Sequence, residues 1–118
     1  MKIDIQRVYD ASPVKEEAFR VLVDRLWPRG VKKENLELDL WAKDISPSSA
    51  LREKFHHQPN SFSDFKKQYV EELDNNELFA HFVEEISKHP KVLFLYSSKD
   101  QEHNNAVVLK AYIESKLS

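Results

Sequence analysis

Hydrophobic and polar residues alternate along the first part of the chain, and this alternation predicts two β-strands. Over residues 2–8, Ile3 and Ile5 share one face and polar side chains the other, which is typical of a half-buried strand at a sheet edge. Residues 18–26 repeat the alternation until a Trp-Pro-Arg-Gly sequence ends it. Residues 9–15 carry turn-forming side chains and are predicted to form a loop.

Helices are predicted where the apolar spacing lengthens to three and four residues. The first should begin at Ser46, with Pro47 at its first helical position, and end before Pro59. The second should begin at Ser61, which has the capping-box spacing to Asp64. The apolar stripes of the helices are Leu51 and Phe55; Phe62, Phe65, Tyr69 and Leu73; Leu78, Phe79, Phe82, Val83 and Ile86; and Ala106, Leu109 and Ile113.

Polar residues predict two further helix ends. Ser98 and Gln101 also have the capping-box spacing, so the last helix should begin there. Asn75 and Asn76 interrupt an apolar stripe, and we expect a left-handed cap because Asn often replaces Gly in that conformation. Residues 31–44 show no clear period and are predicted to be irregular.

A continuous apolar run over residues 92–96 predicts a central strand that is covered on both faces. Strands that alternate with helices indicate an α/β fold. We therefore expect a small, at least partly parallel β-sheet of three or more strands with helices packed against it. A chain of 118 residues should form a single domain over residues 1–118.

The composition excludes several classes of site. The chain has one glycine, where average usage of about 7% would give roughly eight, so glycine-built phosphate loops are excluded. With no cysteine, it has no disulfide framework and no thiol nucleophile. We expect a positive φ or a close backbone contact at Gly30, the single glycine.

Charge and hydropathy set expectations about partners and location. The formal charge of −2 disfavours nucleic-acid binding, which needs a summed basic field. No apolar run approaches the roughly 20 residues of a membrane span, so no membrane partner is expected. The first residues lack the apolar core of a signal peptide, which predicts a cytoplasmic protein.

Candidate chemistry lies in two polar segments, residues 24–30 and 97–105, each directly after a predicted strand. Ligands of open α/β sheets bind outside the carboxyl ends of the strands. If the two strands are parallel, both segments lie on the same rim of the sheet. The sequence alone leaves that condition open.

The second segment offers an acid–base pair. Asp100 and His103 are three residues apart and would share a helix face, so Asp100 could orient His103 as a catalytic base. Ser97, Lys99 and Asn104 add donors for a ligand near a helix N-terminus. The alternative is that Ser98 or Asp100 caps the helix and His103 is a surface or capping residue.

Arginines supply the candidate anion contacts. Arg25 and Arg29 fall within one turn, and guanidinium groups pair bidentately with carboxylate and phosphate. The alternative is a structural ion pair of either arginine with Asp24 or Asp44. The sequence predicts no metal site, since two ligands fall short of the usual three or four, and it implies no cofactor.

The chain resembles the bacterial family called domain of unknown function 488, specifically its YeaO-like branch. The motifs that carry the resemblance are RVLVDRLWPRG at 20–30, WAKDISPS at 41–48, Leu51-Arg52 with Phe55-His56, FKKQYVEEL at 65–73, LYSSKD at 95–100 and HNNA at 103–106. The resemblance implies a small cytosolic α/β protein without a settled activity. Its polar motif positions also imply Arg52, on the helix after the Trp41 segment, as a second-tier ligand contact. A sister branch has a Cys-His-Arg near residues 102–104, and this chain lacks its Cys and Arg.

Three functions are compatible with these residues. The leading hypothesis is a site for a small anionic ligand, such as a phosphorylated compound, with catalysis by His103 as one version of it. The alternative is a non-catalytic interaction or regulatory module, which an exposed patch of Phe62, Phe65, Phe79 or Phe82 would favour. Nucleic-acid binding is the third and is disfavoured by the net charge.

Overall fold

The computed structural model of the chain describes residues 1–10, 18–57 and 61–117. Most of the loop predicted over 9–15 lies outside these ranges, and so does Pro59. The strands are β1 (Lys2–Arg7), β2 (Phe19–Leu22), β3 (Leu40–Trp41) and β4 (Lys91–Tyr96). The helices are α1 (Lys33–Leu36), α2 (Ser49–His57), α3 (Phe62–Asp74), α4 (Phe79–Ile86) and α5 (Asn105–Leu117).

The strands form one sheet in the order β1-β4-β2-β3, and every pair is parallel. β4 lies between β1 and β2, with Val92 opposite both Ile3 and Phe19. The predicted central strand and the α/β fold class are therefore confirmed. Because all four strands run in one direction, their carboxyl ends share one rim of the sheet.

The two faces of the sheet are covered unequally. Helices α2 to α5 pack their apolar stripes on one face, against buried side chains such as Val21 and Phe94. The other face carries a smaller cluster, in which Leu22 and Leu95 pack against Leu36 of α1. Burial of the apolar stripes on both faces is the main term that stabilises the sheet.

The segment predicted to be irregular, residues 31–44, contains α1 and the short strand β3. Two paired residues were too few to produce a recognisable alternation. Glu37 ends α1 in the left-handed conformation, with φ 47°. The predicted left-handed Asn cap is wrong, since α3 ends at Asn75 with φ −100°.

The first predicted helix start is also wrong. α2 begins at Ser49, because Ser46 instead ends a short 3₁₀ helix over Lys43–Ile45 and Pro47 and Ser48 lie between the two helices. Ser48 caps α2 instead, and its Oγ accepts a hydrogen bond from the Leu51 amide at 3.2 Å. The Glu72 carboxylate of α3 accepts hydrogen bonds from the Ser48 amide at 2.9 Å and from its hydroxyl at 2.6 Å.

The two predicted capping boxes do not form. Ser61 precedes α3 without a side-chain cap hydrogen bond. The last helix begins at Asn105 rather than near Ser98, and Asn104 caps it by accepting the Val107 amide at 3.0 Å. Residues 97–104 are therefore a loop.

The prediction for Gly30 is confirmed. Its φ is 77°, and a Cβ added there would meet no atom within 4 Å. Backbone conformation rather than space therefore requires glycine at this turn.

Glu37→Gly should stabilise the protein by about 1 kcal/mol, because glycine adopts the left-handed conformation without the Cβ penalty. Gly30→Ala should destabilise it by a similar amount, about 1 kcal/mol, for the converse reason. Denaturant unfolding measures both changes. A loss of stability in Glu37→Gly would contradict the assignment.

Tyr112 should make stability fall at alkaline pH. Its hydroxyl donates to the Asp74 carboxylate, and burial, followed by this contact and its charge, raises the pKa of Tyr112 to about 12. The unfolded chain ionises tyrosine near pH 10, so this contribution is complete below about pH 10 and is lost as pH rises to about 12.

Tyr112→Phe should lower stability at neutral pH and reduce the fall between about pH 10 and 12. Unfolding midpoints of both proteins across this range test the expectation. Burial also raises the pKa of Tyr69 and Tyr96, so some alkaline dependence remains in the variant. Identical pH slopes in the two proteins would refute the role of Tyr112.

Candidate ligand site at the carboxyl ends of the strands

Asp24 joins the two polar segments. It follows β2, and its carboxylate accepts hydrogen bonds from the Ser97 amide at 2.8 Å and the Ser97 hydroxyl at 2.6 Å. Asn105 Nδ2 donates to the other carboxylate oxygen at 3.0 Å. The strands that precede the two segments, β2 and β4, are parallel, so residues 24–30 and 97–105 lie on one rim of the sheet.

The backbone around Asp24 extends the same network. The Asp24 carbonyl accepts the indole N–H of Trp41 at 2.7 Å, and Asn105 Nδ2 also donates to the Val23 carbonyl at 2.6 Å. The ends of β2, β3 and β4 and the start of α5 are thereby connected. Sequence analysis considered Asp24 only as an ion-pair partner. Its position directly after a buried strand was the signal that it could contact the neighbouring strand end.

Arg25 binds protein backbone. Its Nε donates to the Pro47 carbonyl at 2.9 Å and its Nη2 to the Ser46 carbonyl at 3.2 Å. The guanidinium group therefore holds the segment that leads into α2. Among the described residues these contacts stand in place of the ion pair with Asp24 or Asp44 that the sequence suggested, while a ligand contact by Arg25 stays a prediction.

Asp100 and His103 lie together, although within a loop and not on a helix face. The Asp100 carboxylate accepts the amides of His103 and Glu102, each at 2.9 Å, and lies 3.1 Å from His103 Nδ1. The backbone hydrogen bond from His103, followed by that from Glu102, lowers the pKa of Asp100. Both side chains are about half exposed, and the His103 ring contacts Phe62 edge-on.

Ser97 and Asn104 use their polar groups inside the protein. Ser97 is bonded to Asp24, and the buried Asn104 donates to the Asp100 carbonyl at 2.9 Å while it caps α5. Both residues build the loop that presents its neighbours. Their donors are already engaged in this arrangement.

Within the described ranges, three cationic side chains of the predicted site have no such contacts. Arg29 and Lys99 are exposed on the two rim loops, and Arg52 is half-buried on α2. Among the residues that the structure describes, none forms a hydrogen bond or ion pair with these three side chains. Their charges therefore remain available to a ligand.

Two residues at the end of β1, Arg7 and Tyr9, also contact the rim loops, although the sequence did not predict them as site residues. Arg7 Nε donates to the Ser98 carbonyl at 3.1 Å, and the Tyr9 hydroxyl donates to the Arg29 carbonyl at 2.9 Å. The Arg7 guanidinium carbon lies 4.6 Å from the centre of the Tyr9 ring. Arg7 is the last residue of β1 and Tyr9 lies just after it, so their place at a strand end was the available signal.

The described residues also limit other kinds of site. Within residues 1–10, 18–57 and 61–117, no three His, Cys, Asp or Glu side chains form a group that could hold a metal ion. In the same part of the chain, no helix is long and apolar enough to cross a membrane. The four phenylalanines considered as an exposed patch are buried or half-buried: Phe62, Phe65, Phe79 and Phe82.

Asp24→Asn should destabilise the protein by about 1–3 kcal/mol, because an amide N–H₂ would face donors that now meet a carboxylate. Asp44→Asn is the matched control, since Asp44 is exposed and only its backbone carbonyl accepts a described hydrogen bond. Denaturant midpoints compare the two variants. Equal midpoints would show that Asp24 does not hold the rim together.

Comparison with known proteins agrees with the sequence motifs. A family model described as "Inactive DUF488-N3 subclade" matches residues 2–118. The chain is 41% identical over 115 residues to "Uncharacterized protein YeaO" of Escherichia coli K12, covering 98% of this chain and 99% of that protein. It is 42% identical over 80 residues to "Uncharacterized protein Rv3073c" of Mycobacterium tuberculosis H37Rv, covering 67% and 66% of the two chains.

No solved structure matches the chain significantly. The family match spans nearly the whole chain, and the similarity to the Escherichia coli protein spans nearly the whole of both chains. The chain therefore belongs to the DUF488 family, in its YeaO-like branch.

Proposed function

We propose that this protein binds a small anionic ligand, such as a phosphorylated compound, at the carboxyl-end rim of its sheet. The observation that carries the proposal is a set of cationic side chains that form no hydrogen bond or ion pair within the described ranges: Arg29 and Lys99 on the two rim loops, and Arg52 on α2, whose preceding segment Arg25 holds. A guanidinium or ammonium group contributes most to ligand binding when its donors are not already used by the protein.

The rim loops are held in place by internal bonds, which supports a preorganised site. Asp24 ties the Ser97 loop to β2, and Tyr9 ties the Arg29 carbonyl to β1. Loops fixed before binding lose less conformational entropy when a ligand arrives. Arg25, Ser97 and Asn104 serve the site by holding this framework.

A small anion fits the charge distribution better than a long polyanion does. The chain carries a formal charge of −2, so a positive rim is a local feature within a slightly acidic protein. Nucleic acid would require a basic surface that extends over many phosphates. A single phosphate or a pair of phosphates needs only the few cations at this rim.

Binding without catalysis is the version we favour. The family model that matches this chain is described as an inactive subclade. Asp100 engages Nδ1 of His103, so Nε2 is the ring atom left for a ligand. In this proposal Asp100 orients His103 as a ligand contact.

Isothermal titration calorimetry with inorganic pyrophosphate tests the proposal. Arg29→Gln, Arg52→Gln and Lys99→Gln should each weaken binding about tenfold, because each removes one charge-assisted contact worth roughly 1.5–3 kcal/mol. Lys66→Gln on α3 is the matched control, as an exposed lysine outside the two rim loops, and should bind like wild type.

The denaturant midpoints of the rim variants should stay close to that of wild type, since no hydrogen bond or ion pair within the described ranges involves the three charged groups. Absence of measurable pyrophosphate binding to wild type would overturn the proposal. So would equal losses in the rim variants and in Lys66→Gln.

A further inference from the structure

Tyr9 crosses the carboxyl end of the central strand. It follows β1, yet its hydroxyl reaches the Arg29 carbonyl beyond β2, and β4 lies between β1 and β2. The Ser98 carbonyl, just past the end of β4, accepts Arg7 Nε. The Tyr9 ring is thereby placed above the strand end where ligands of open α/β sheets bind.

The ring is held at two points and is still 45% exposed. Its hydroxyl is bonded to Arg29, and the Arg7 guanidinium lies over one face at 4.6 Å from the ring centre. The remaining exposure therefore belongs to the opposite face and the ring edges. A tyrosine fixed in this way offers a flat apolar surface that loses little side-chain entropy on binding.

Positively charged side chains lie on the loops next to the Tyr9 ring. Arg29 and Lys99 stand on the two loops that Tyr9 and Arg7 bridge, and both side chains are uncommitted within the described ranges. Asp10, directly after Tyr9, is the acidic neighbour on the same turn and is exposed to solvent. A ligand that is planar at one end and anionic at the other would meet both the ring and the cations.

We propose that the Tyr9 ring stacks on the base of a nucleoside monophosphate whose phosphate is held by Arg29 and Lys99. This inference rests on the proposed function, because it names the class of small anion that the rim takes. Stacking on an aromatic side chain is tolerant of base identity, so the proposal covers nucleotides as a class. The Arg7 guanidinium behind the ring supports the stack through its cation–π contact.

Calorimetry with two probes separates stacking from phosphate binding. Adenosine 5′-monophosphate should bind wild type at least about tenfold more tightly than ribose 5-phosphate, which carries the same phosphate and sugar without a base. Tyr9→Leu should remove this difference and should bind ribose 5-phosphate as tightly as Tyr9→Phe does, because both variants lack the hydroxyl that holds the Arg29 carbonyl. Tyr9→Phe, the matched control, keeps the ring and should retain the preference.

Nuclear magnetic resonance of the nucleotide gives a readout that needs no variant. The base protons should shift upfield on binding wild type, because they enter the ring current of Tyr9. Absence of this shift in a complex that forms would overturn the stacking geometry.

The outcomes distinguish the two proposals. Equal affinities for the two probes would overturn the stacking inference and leave the anion site standing. A nucleotide preference that survives in Tyr9→Leu would also overturn it, because the base would then bind elsewhere. If neither probe and no pyrophosphate binds, both the inference and the proposed function fall.

Discussion

The contact between the Asp24 carboxylate and the loop after β4 is the interaction on which the rim depends. Parallel strands bring their carboxyl ends to one side of the sheet, but they do not by themselves connect the loops that follow. Asp24 supplies that connection through Ser97 and Asn105. A carboxylate that accepts several hydrogen bonds connects these segments firmly, because charge-assisted hydrogen bonds are stronger than neutral ones.

Other hydrogen bonds connect the rim to the elements on both sides of Asp24. Arg25 donates to the carbonyls of Ser46 and Pro47, in the segment that leads into α2. Arg7 and Tyr9, at the end of β1, donate to carbonyls of the two rim loops. Hydrogen bonds from side chains to backbone carbonyls therefore hold the rim loops in place, whereas other α/β proteins shape this rim with glycine-rich loops. The single glycine is used where the backbone needs a positive φ.

The fold could be predicted from the sequence because periodicity and burial are local signals. The apolar run of β4 and the alternation of β2 were sufficient to place both strands. Helix starts were harder, since a cap depends on which partner the fold brings near. Glu72 holds Ser48 at the start of α2, and Asp24 holds Ser97 well before α5 begins. Neither contact is visible in a local spacing.

The site could be predicted only in part for the same reason. Asp100 and His103 are three residues apart and meet in the structure, as their spacing suggested. Arg25 contacts carbonyls that lie more than twenty residues away in the chain, and only the folded path of that segment reveals them. A positively charged residue in a motif therefore indicates a role without indicating whether its partner is a ligand or the protein.

The central claim is that one preorganised rim takes a small anion. A ¹⁵N–¹H NMR titration of the wild-type protein with pyrophosphate tests it most directly. If the rim binds one anion, the amide signals of residues 24–30 and 97–104 should shift along one common saturation curve as pyrophosphate is added, while those of α4 stay in place. Shifts that fail to saturate, or that spread over exposed lysines across the whole surface, would contradict it.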